Sequence, residues 1–368
     1  MIARIYHFAA QLLQDRSEGM GIRLKKFVLW KPSARVAAVV FSLALILMLI
    51  PLLRLALYSV PWYDDYNYGL YARRAVESGA GLPGAIRGAW ECTKMSWYAW
   101  QGTYSSIFFM SLVPNIWGEE FYFIGPMFLI LLLVAGIFAF IGVLAGDVFK
   151  FDKIYTFSLQ SVTAAAVLMF IYSAKEGFYW YNGGVHYVGM HSFCLLMLAA
   201  AVKLLKVKNK AASCFLLFGS MLGVLLSAGA NYVTALQGLL ALLLTVGIAV
   251  LCKDRRAFRL LPSLLVYGIG FYKNVIAPGN DKRMTSFIGY GYGAVESILC
   301  SFLEALKYLW EFTGLITVAV LAMLVPVVWQ MVKKAVLLFL CPGWCCSCLC
   351  ACTHQDLRQV CTLWDMPV

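Results

Sequence analysis

Residues 36–57 read VAAVVFSLALILMLIPLLRLAL, and residues 61–68, just beyond, read PWYDDYNY. The first stretch is apolar enough and long enough to cross a bilayer core, which takes about 20 residues. It is a continuous run rather than an alternating one, and lipid offers no partner for backbone polar groups, so it is read as a helix. The second stretch sets two adjacent carboxylates, Asp64 and Asp65, among the rings of Trp62, Tyr63, Tyr66 and Tyr68. Neighbouring like charges raise each other's proton affinity, and aromatic surroundings that exclude water push the same way. Such a pair is poised for proton transfer or for holding a cation. The plainer alternative is an interfacial aromatic anchor with two solvated acids beside it.

Composition extends the first reading to the whole chain. Of 368 residues, 62% are hydrophobic and 13% charged, with a mean hydropathy of +0.78. That excludes an ordinary soluble domain. The expectation is an all-α, polytopic helical membrane protein of about eight transmembrane helices. The spans are placed at Val36–Leu57, Phe121–Leu144, Tyr155–Ile171, Gly189–Ala201, Ala212–Ala230, Ala235–Leu251, Leu260–Tyr272 and Leu315–Met331. Residues 1–35 read as a basic amphipathic segment on the cytoplasmic face. No cleavage site follows the first apolar run, so it is expected to stay as an anchor. Residues 61–120 read as a long first extracytoplasmic loop, turn-rich from Gly79 to Arg87, with Ser105–Val113 too short to cross. Val295–Phe312, interrupted by Glu296, Glu304, Lys307 and Glu311, reads as an amphipathic surface helix.

The net charge of +12 would suggest nucleic acid in a soluble chain. Here its placement argues for topology instead, and no nucleic-acid partner is expected. Lys150 and Lys153, then Lys203, Lys206, Lys208 and Lys210, then Lys253, Arg255, Arg256 and Arg259 fall in short connections that are inner ones if the N-terminus is cytoplasmic. Basic short loops face the cytoplasm. The implied location is a cytoplasmic membrane, crossed several times.

With that orientation the polar-aromatic clusters share the outer side. They are the Asp64-Asp65 segment, the run from Lys175 and Glu176 through Trp180, Asn182, Gly183, Gly184 and His186, the Asn231-Tyr232 turn, and Ala277-Pro278-Gly279-Asn280-Asp281-Lys282-Arg283. Inner connections are plain Lys/Arg hinges, so a site on the outer face is the economical reading. Gly183-Gly184 permits close backbone approach, although an aromatic belt also explains the rings. Arg283 offers a planar fork suited to phosphate, with Lys282 beside it, and a lipid headgroup would use the same chemistry. Histidines such as His186 and His191 are more often satisfied core or interface residues than ligands. Glu176 is either a further acid of the site or a partner for Lys175.

An Asp-Asp straight after the first span, an outer Trp-x-x-Gly-Gly and an outer Ala-Pro-Gly-Asn-x-x-Arg together resemble bacterial membrane glycosyltransferases of the GT-C class, in particular a family of glucosyltransferase-like domains. The resemblance covers residues 35–334 in organisation. It implies a GT-C-like fold that transfers a sugar from a polyprenyl-phosphate carrier to an envelope glycan or lipid acceptor at the outer face of the bacterial cytoplasmic membrane. It implies Asp64 or Asp65 as base or as ligand to a divalent cation (Mg or Mn), and Arg283, with Lys282, as the group that binds the donor phosphate. Trp180, Asn182, Gly183, Gly184, His186, Asn280 and Glu176 are the matching substrate-binding candidates. The chain departs from the pattern at Gly102, which Thr103 follows where the class often has Arg. The rival reading is a transporter or flippase of lipid-linked sugars or another amphiphile.

Residues 335–368 gather seven cysteines, Cys341, Cys345, Cys346, Cys348, Cys350, Cys352 and Cys361, without the paired Cys-x2-Cys spacing of a zinc knuckle. This stretch reads as a natural Cys-rich tail or as a shifted or truncated end of the 36–334 domain.

Overall fold

A computed structural model describes residues 34–286 and, further on, residues 296, 299–300, 302–304, 306–307 and 311. The basic N-terminal segment, the expected span Leu315–Met331 and the Cys-rich tail lie outside the described residues. Residues 34–286 belong to one compact unit. The described positions from 296 to 311 belong to a second and are helical. Within that second unit Lys307 Nζ stands 3.6 Å from Glu304.

The first unit is built of helices, with no strand among the described residues. In chain order they are α1 (Ala34–Ala56), α2 (Asp64–Glu77), α3 (Gly81–Ala99), α4 (Tyr104–Met110), α5 (Ile124–Gly142), α6 (Lys153–Met169), α7 (Met190–Leu204), α8 (Lys210–Ala228), α9 (Tyr232–Leu251), α10 (Leu261–Val275) and α11 (Pro278–Thr285). Three π-helical turns interrupt the order, at Val143–Val148, Lys175–Tyr179 and Val185–Gly189.

Among the described residues, five helical stretches are long and apolar enough to cross a membrane: Arg35–Ala56, Glu119–Val148, Tyr181–Leu204, Lys210–Ala228 and Tyr232–Leu251. Arg255–Val275 with Pro278–Thr285, bent by 40°, makes up to six. Seven of the eight expected spans fall among the described residues, where five or six candidates are found. Leu315–Met331 falls outside the described residues. The helix at the expected Tyr155–Ile171 has 17 residues, about 26 Å at 1.5 Å per residue. The fourth expected span, by contrast, starts earlier than Gly189, because its helix continues back through the π turn to Tyr181.

The 61–120 segment is also more ordered than a loop. The turn expected over Gly79–Arg87 is confined to Ser78–Ala80, which contains Gly79 at φ 81°, with Gly81 at φ 57° just after it. From Gly81 onward the chain is helical, and Pro83 is tolerated because the first turn has no internal acceptor for the N–H it lacks. Helices α2 and α3 form an antiparallel pair joined through small side chains, Ala72, Ala85 and Ala89, all sealed from solvent.

Helix α1 packs on α6 and α5, α7 packs on α5 and α8, and α10 packs on α8. Leu129, Ile130, Leu133 and Ile137 of α5, with Leu45, Ala164, Leu168 and Met190, fill the space between the first four of these helices. In lipid, polar groups must be satisfied internally. Gln160 Nε2 accordingly donates to the Phe138 carbonyl across α6 and α5 at 2.7 Å, and the Tyr267 hydroxyl to Ala235 O at 2.8 Å. Ser220 and Ser263 join α8 to α10 at 3.1 Å.

Candidate functional site

The two carboxylates that are neighbours in sequence have different fates. Asp64 and Asp65 open α2, and successive residues on a helix point roughly 100° apart. Asp65 turns inward and is sealed from solvent. Its Oδ2 accepts the Trp62 N–H at 2.9 Å and the Tyr122 hydroxyl at 2.7 Å, and its Oδ1 accepts the Asn182 N–H at 3.1 Å. The Asp65 N–H returns to the Trp62 carbonyl at 2.8 Å, closing a reciprocal turn. Tyr63, inside that turn, is held at φ 25°, a left-handed value that a residue with a Cβ adopts at a cost of about 1–3 kcal/mol. Burial, the largest influence, raises the Asp65 pKa above its ordinary value. Its three donors pull the other way and Asp64 adds to the rise. Asp64 is half-buried.

Tyr122 is the hub behind Asp65. While its O–H donates to Asp65, its oxygen accepts the Tyr181 N–H at 2.9 Å, so one hydroxyl ties α2 to the segment that starts at Trp180. The Asn231 amide then donates to the His186 carbonyl at 2.6 Å, bringing the corner between α8 and α9 to the same place.

A second clip holds the Ala-Pro-Gly-Asn segment. Asn280 Oδ1 accepts the Gly102 N–H at 2.9 Å, and its Nδ2 donates to the carbonyls of Asn274 and Val275, each at 2.9 Å. Asn274 in turn donates to Ala228 O at 3.0 Å and Ala230 O at 2.9 Å. Gly102 is required by close approach, because a Cβ there would lie 1.9 Å from the Asn274 carbonyl oxygen. The clip leaves Arg283 with its Nη1 on Gln101 Oε1 and its guanidinium 5.4 Å from the centre of the Trp100 ring. Where the sequence lacks an Arg after Gly102, the neighbour Gln101 holds a cation brought from α11.

These segments come together at one end of the helices. Tyr68 on α2 shows this electrostatically. Its hydroxyl is pushed up to about 12, first by burial and then by Asp64, with Arg283 pulling it down. The charge of Arg283 also reaches His186 and Tyr232. Within the Trp180–His186 run, the Trp180 Nε1, both side-chain polar atoms of Asn182 and the His186 Nδ1 are buried without a hydrogen-bond partner. Buried polar atoms are paired in the great majority of cases, so four unpaired ones within seven residues make this run a candidate for holding a polar ligand.

Compared with family models, with curated proteins and with solved structures, the chain matches none.

The remaining candidates are placed as follows. The space beside Gly183 and Gly184 is taken by the protein itself. A Cβ at Gly183 would meet the Trp180 ring at 2.5 Å, and one at Gly184 the Gly177 carbonyl oxygen at 2.8 Å, so these glycines serve packing within the segment. Glu176 is exposed, and among the described residues it makes no ion pair with Lys175, whose ammonium lies 5.8 Å from the Trp62 ring instead. Lys282 is exposed. Both Asp65 oxygens are already engaged, and among the described residues no three His, Cys, Asp or Glu side chains converge. Tyr122 and Gln101 are not singled out by the sequence, and Tyr68 only as one of the four rings around the two acids. Gln101 had one signal, its place before Gly102, whereas Tyr122 is one more aromatic residue at the start of an apolar run.

Proposed function

We propose that this chain transfers a sugar from a polyprenyl-phosphate-linked donor to an envelope glycan or lipid acceptor at the outer face of the bacterial cytoplasmic membrane, on a GT-C-like scaffold with its N-terminus in the cytoplasm. The observation that carries this reading is that α11, which bears Arg283, packs on α3, and α3 packs on α2, which opens with Asp64. Asp64 and Arg283 come from opposite ends of the described chain and both bear on the Tyr68 hydroxyl. A half-buried carboxylate and a guanidinium at the same end of the helices are the two groups that such a transfer needs.

Asp64 takes the proton of the acceptor hydroxyl as its oxygen bonds to the anomeric carbon. The bond from that carbon to the lipid phosphate breaks, the phosphate leaves with the electron pair, and Arg283 offsets its growing negative charge. Arg283 makes no ion pair among the described residues, so its charge is not spent on a protein carboxylate. Asp65 acts as a positioning residue, fixing the start of α2 and the Asn182 backbone. The unpaired groups of Trp180, Asn182 and His186 suit the hydroxyls of a sugar, which donate and accept. No step is routed through a metal.

A transporter or flippase would place ionisable groups deep within its spans. In the candidate spans the Asp, Glu, Lys and Arg residues stand near the ends, as Arg54, Asp147, Lys203 and Lys210 do. The deciding experiment uses the full chain in proteoliposomes with a labelled polyprenyl-phosphate-linked hexose. Asp64→Asn is expected to abolish transfer in a protein that unfolds like wild type. Absence of transfer by the wild-type chain removes the enzyme reading, transfer unchanged in both Asp64→Asn and Asp65→Asn removes the role given to the carboxylates, and movement of label that requires an ion gradient replaces transfer with transport.

A further inference from the structure

The helices have a second polar end. The helical stretch Tyr181–Leu204 has 24 residues, about 36 Å at 1.5 Å per residue. Its first turn lies in the Asp65 network, so its last turn lies on the far side of the bundle. There, Lys203 Nζ bonds to Asp147 Oδ2 at 2.6 Å, tying down the chain that leaves α5. Arg259 Nη1 donates to Val207 O at 2.8 Å and to Leu204 O at 3.3 Å, tying down the connection that enters α10. In that connection Arg256 Nε chelates both oxygens of Asp254, at 2.9 and 3.1 Å.

Among the described residues, this end gathers five cations, Lys150, Lys203, Lys206, Arg256 and Arg259, against two carboxylates, Asp147 and Asp254, a net positive charge whatever hydrogen bonds each cation makes. Lys203 and Arg256 are matched to those acids, and Arg259 caps carbonyls at the end of α7. Lys206 sits half-buried among them. A surplus of positive charge held by three fixed segments, at the depth where membrane-crossing helices end, is the setting in which headgroup phosphates are bound.

We propose that this end of the bundle binds a phosphate-bearing anion, seated on Lys206 with Lys150 and Arg256. A phosphate fits better than a carboxylate because its terminal oxygens can meet several cations from different directions at once. Burial and the charges of Lys150 and Arg256 lower the Lys206 ammonium to about 8, against the pull of Asp147 and Asp254. A bound anion offsets that repulsion. The anion is either the headgroup of an anionic phospholipid or a free phosphate, and the site stands whether or not the opposite end transfers sugar.

The test uses the detergent-solubilised full chain, titrated separately with short-chain phosphatidylglycerol, short-chain phosphatidylcholine and inorganic phosphate, with thermal unfolding as the readout. Phosphatidylglycerol is expected to raise the midpoint and phosphatidylcholine to leave it unchanged. Lys206→Gln and Lys150→Gln should each weaken phosphatidylglycerol binding about five-fold, the factor that corresponds to roughly 1 kcal/mol per basic residue at a membrane surface. Lys206→Arg should keep it, and Lys94→Gln on α3, which belongs to the opposite end, should not change it. Binding of inorganic phosphate as tight as that of phosphatidylglycerol assigns the site to a free anion, and much weaker binding assigns it to a lipid. Equal responses to the two phospholipids with none to phosphate, or a Lys150→Gln/Lys206→Gln double variant that binds like wild type, overturns the proposal.

Discussion

The hydroxyl of Tyr122 donates to Oδ2 of Asp65 across 2.7 Å, and both side chains are sealed from solvent. The same oxygen accepts the Tyr181 N–H. Tyr122→Phe therefore takes a donor from a buried carboxylate and an acceptor from a buried amide at once. Leaving buried partners unsatisfied costs about 1–3 kcal/mol for each group. The variant is expected to lose about 2–4 kcal/mol, read as a lower unfolding midpoint in detergent, and an unchanged midpoint would remove Tyr122 from the hub described above.

Acidity offers a separate handle on Asp65. Its folded pKa lies above its ordinary 3.8, with burial as the first cause. The folded chain thus holds that proton more tightly than the unfolded chain. The resulting stability is complete below about 3.8 and is lost as pH rises through the raised folded value. Comparing unfolding midpoints between neutral pH and pH 4 should show wild type gaining on acidification relative to Asp65→Asn. Parallel profiles for the two proteins would mean that Asp65 titrates as it does in the unfolded chain.

Two glycines give opposite expectations. Gly102→Ala drives a Cβ to 1.9 Å from a backbone oxygen that cannot rotate away, whereas a Cβ at Gly219 in α8 meets nothing within 4 Å. The first should cost about 3 kcal/mol or more through overpacking. The second should be neutral or gain up to about 1 kcal/mol from helix propensity. Unfolding midpoints and the yield of folded protein check both.

Much of this was legible because continuous apolar runs declare helices that end in lipid. Helices α1, α5, α8 and α9 were read close to their actual bounds for that reason. The gathering of Asp64, Trp180, Asn231 and Arg283 at one end is legible in the short basic connections, which set the alternation of the chain. Helices α2 and α3 were hidden, since glycines and Pro83 break the apolar periodicity of segments that pack through alanine. The division of labour between Asp64 and Asp65 depends on the angle at which α2 starts, and adjacent letters do not carry that angle. Asn274, buried within α10, drew no notice because its partners are backbone carbonyls of a corner distant in sequence.

Asn280→Ala separates support from chemistry. It strips the acceptor from the Gly102 N–H and one donor each from the Asn274 and Val275 carbonyls, at about 2–3 kcal/mol in total. Arg283, three residues on, then loses its registration against Gln101 and Trp100. A misplacement of about 1 Å costs on the order of 100-fold in rate, so transfer by Asn280→Ala should fall by about that factor even where the protein stays folded. Full activity in folded Asn280→Ala would mean that Arg283 is placed by other contacts.

Arg283 itself should behave in the opposite sense. It is half-exposed and makes no ion pair among the described residues, so Arg283→Gln should leave the unfolding midpoint within about 0.5 kcal/mol of wild type, as surface substitutions do. If its guanidinium meets the leaving phosphate, the lost stabilisation grows along the reaction coordinate, and kcat should drop about 100- to 1000-fold, the range for removing one preorganised donor. Arg283→Lys keeps the charge but gives up the planar fork that meets Gln101 and the face laid on Trp100, which places it between Arg283→Gln and wild type. A rise in KM with kcat intact for both variants would instead mean that Arg283 binds the ground state and the transition state equally. Its role would then be to hold the donor rather than to stabilise the departing phosphate.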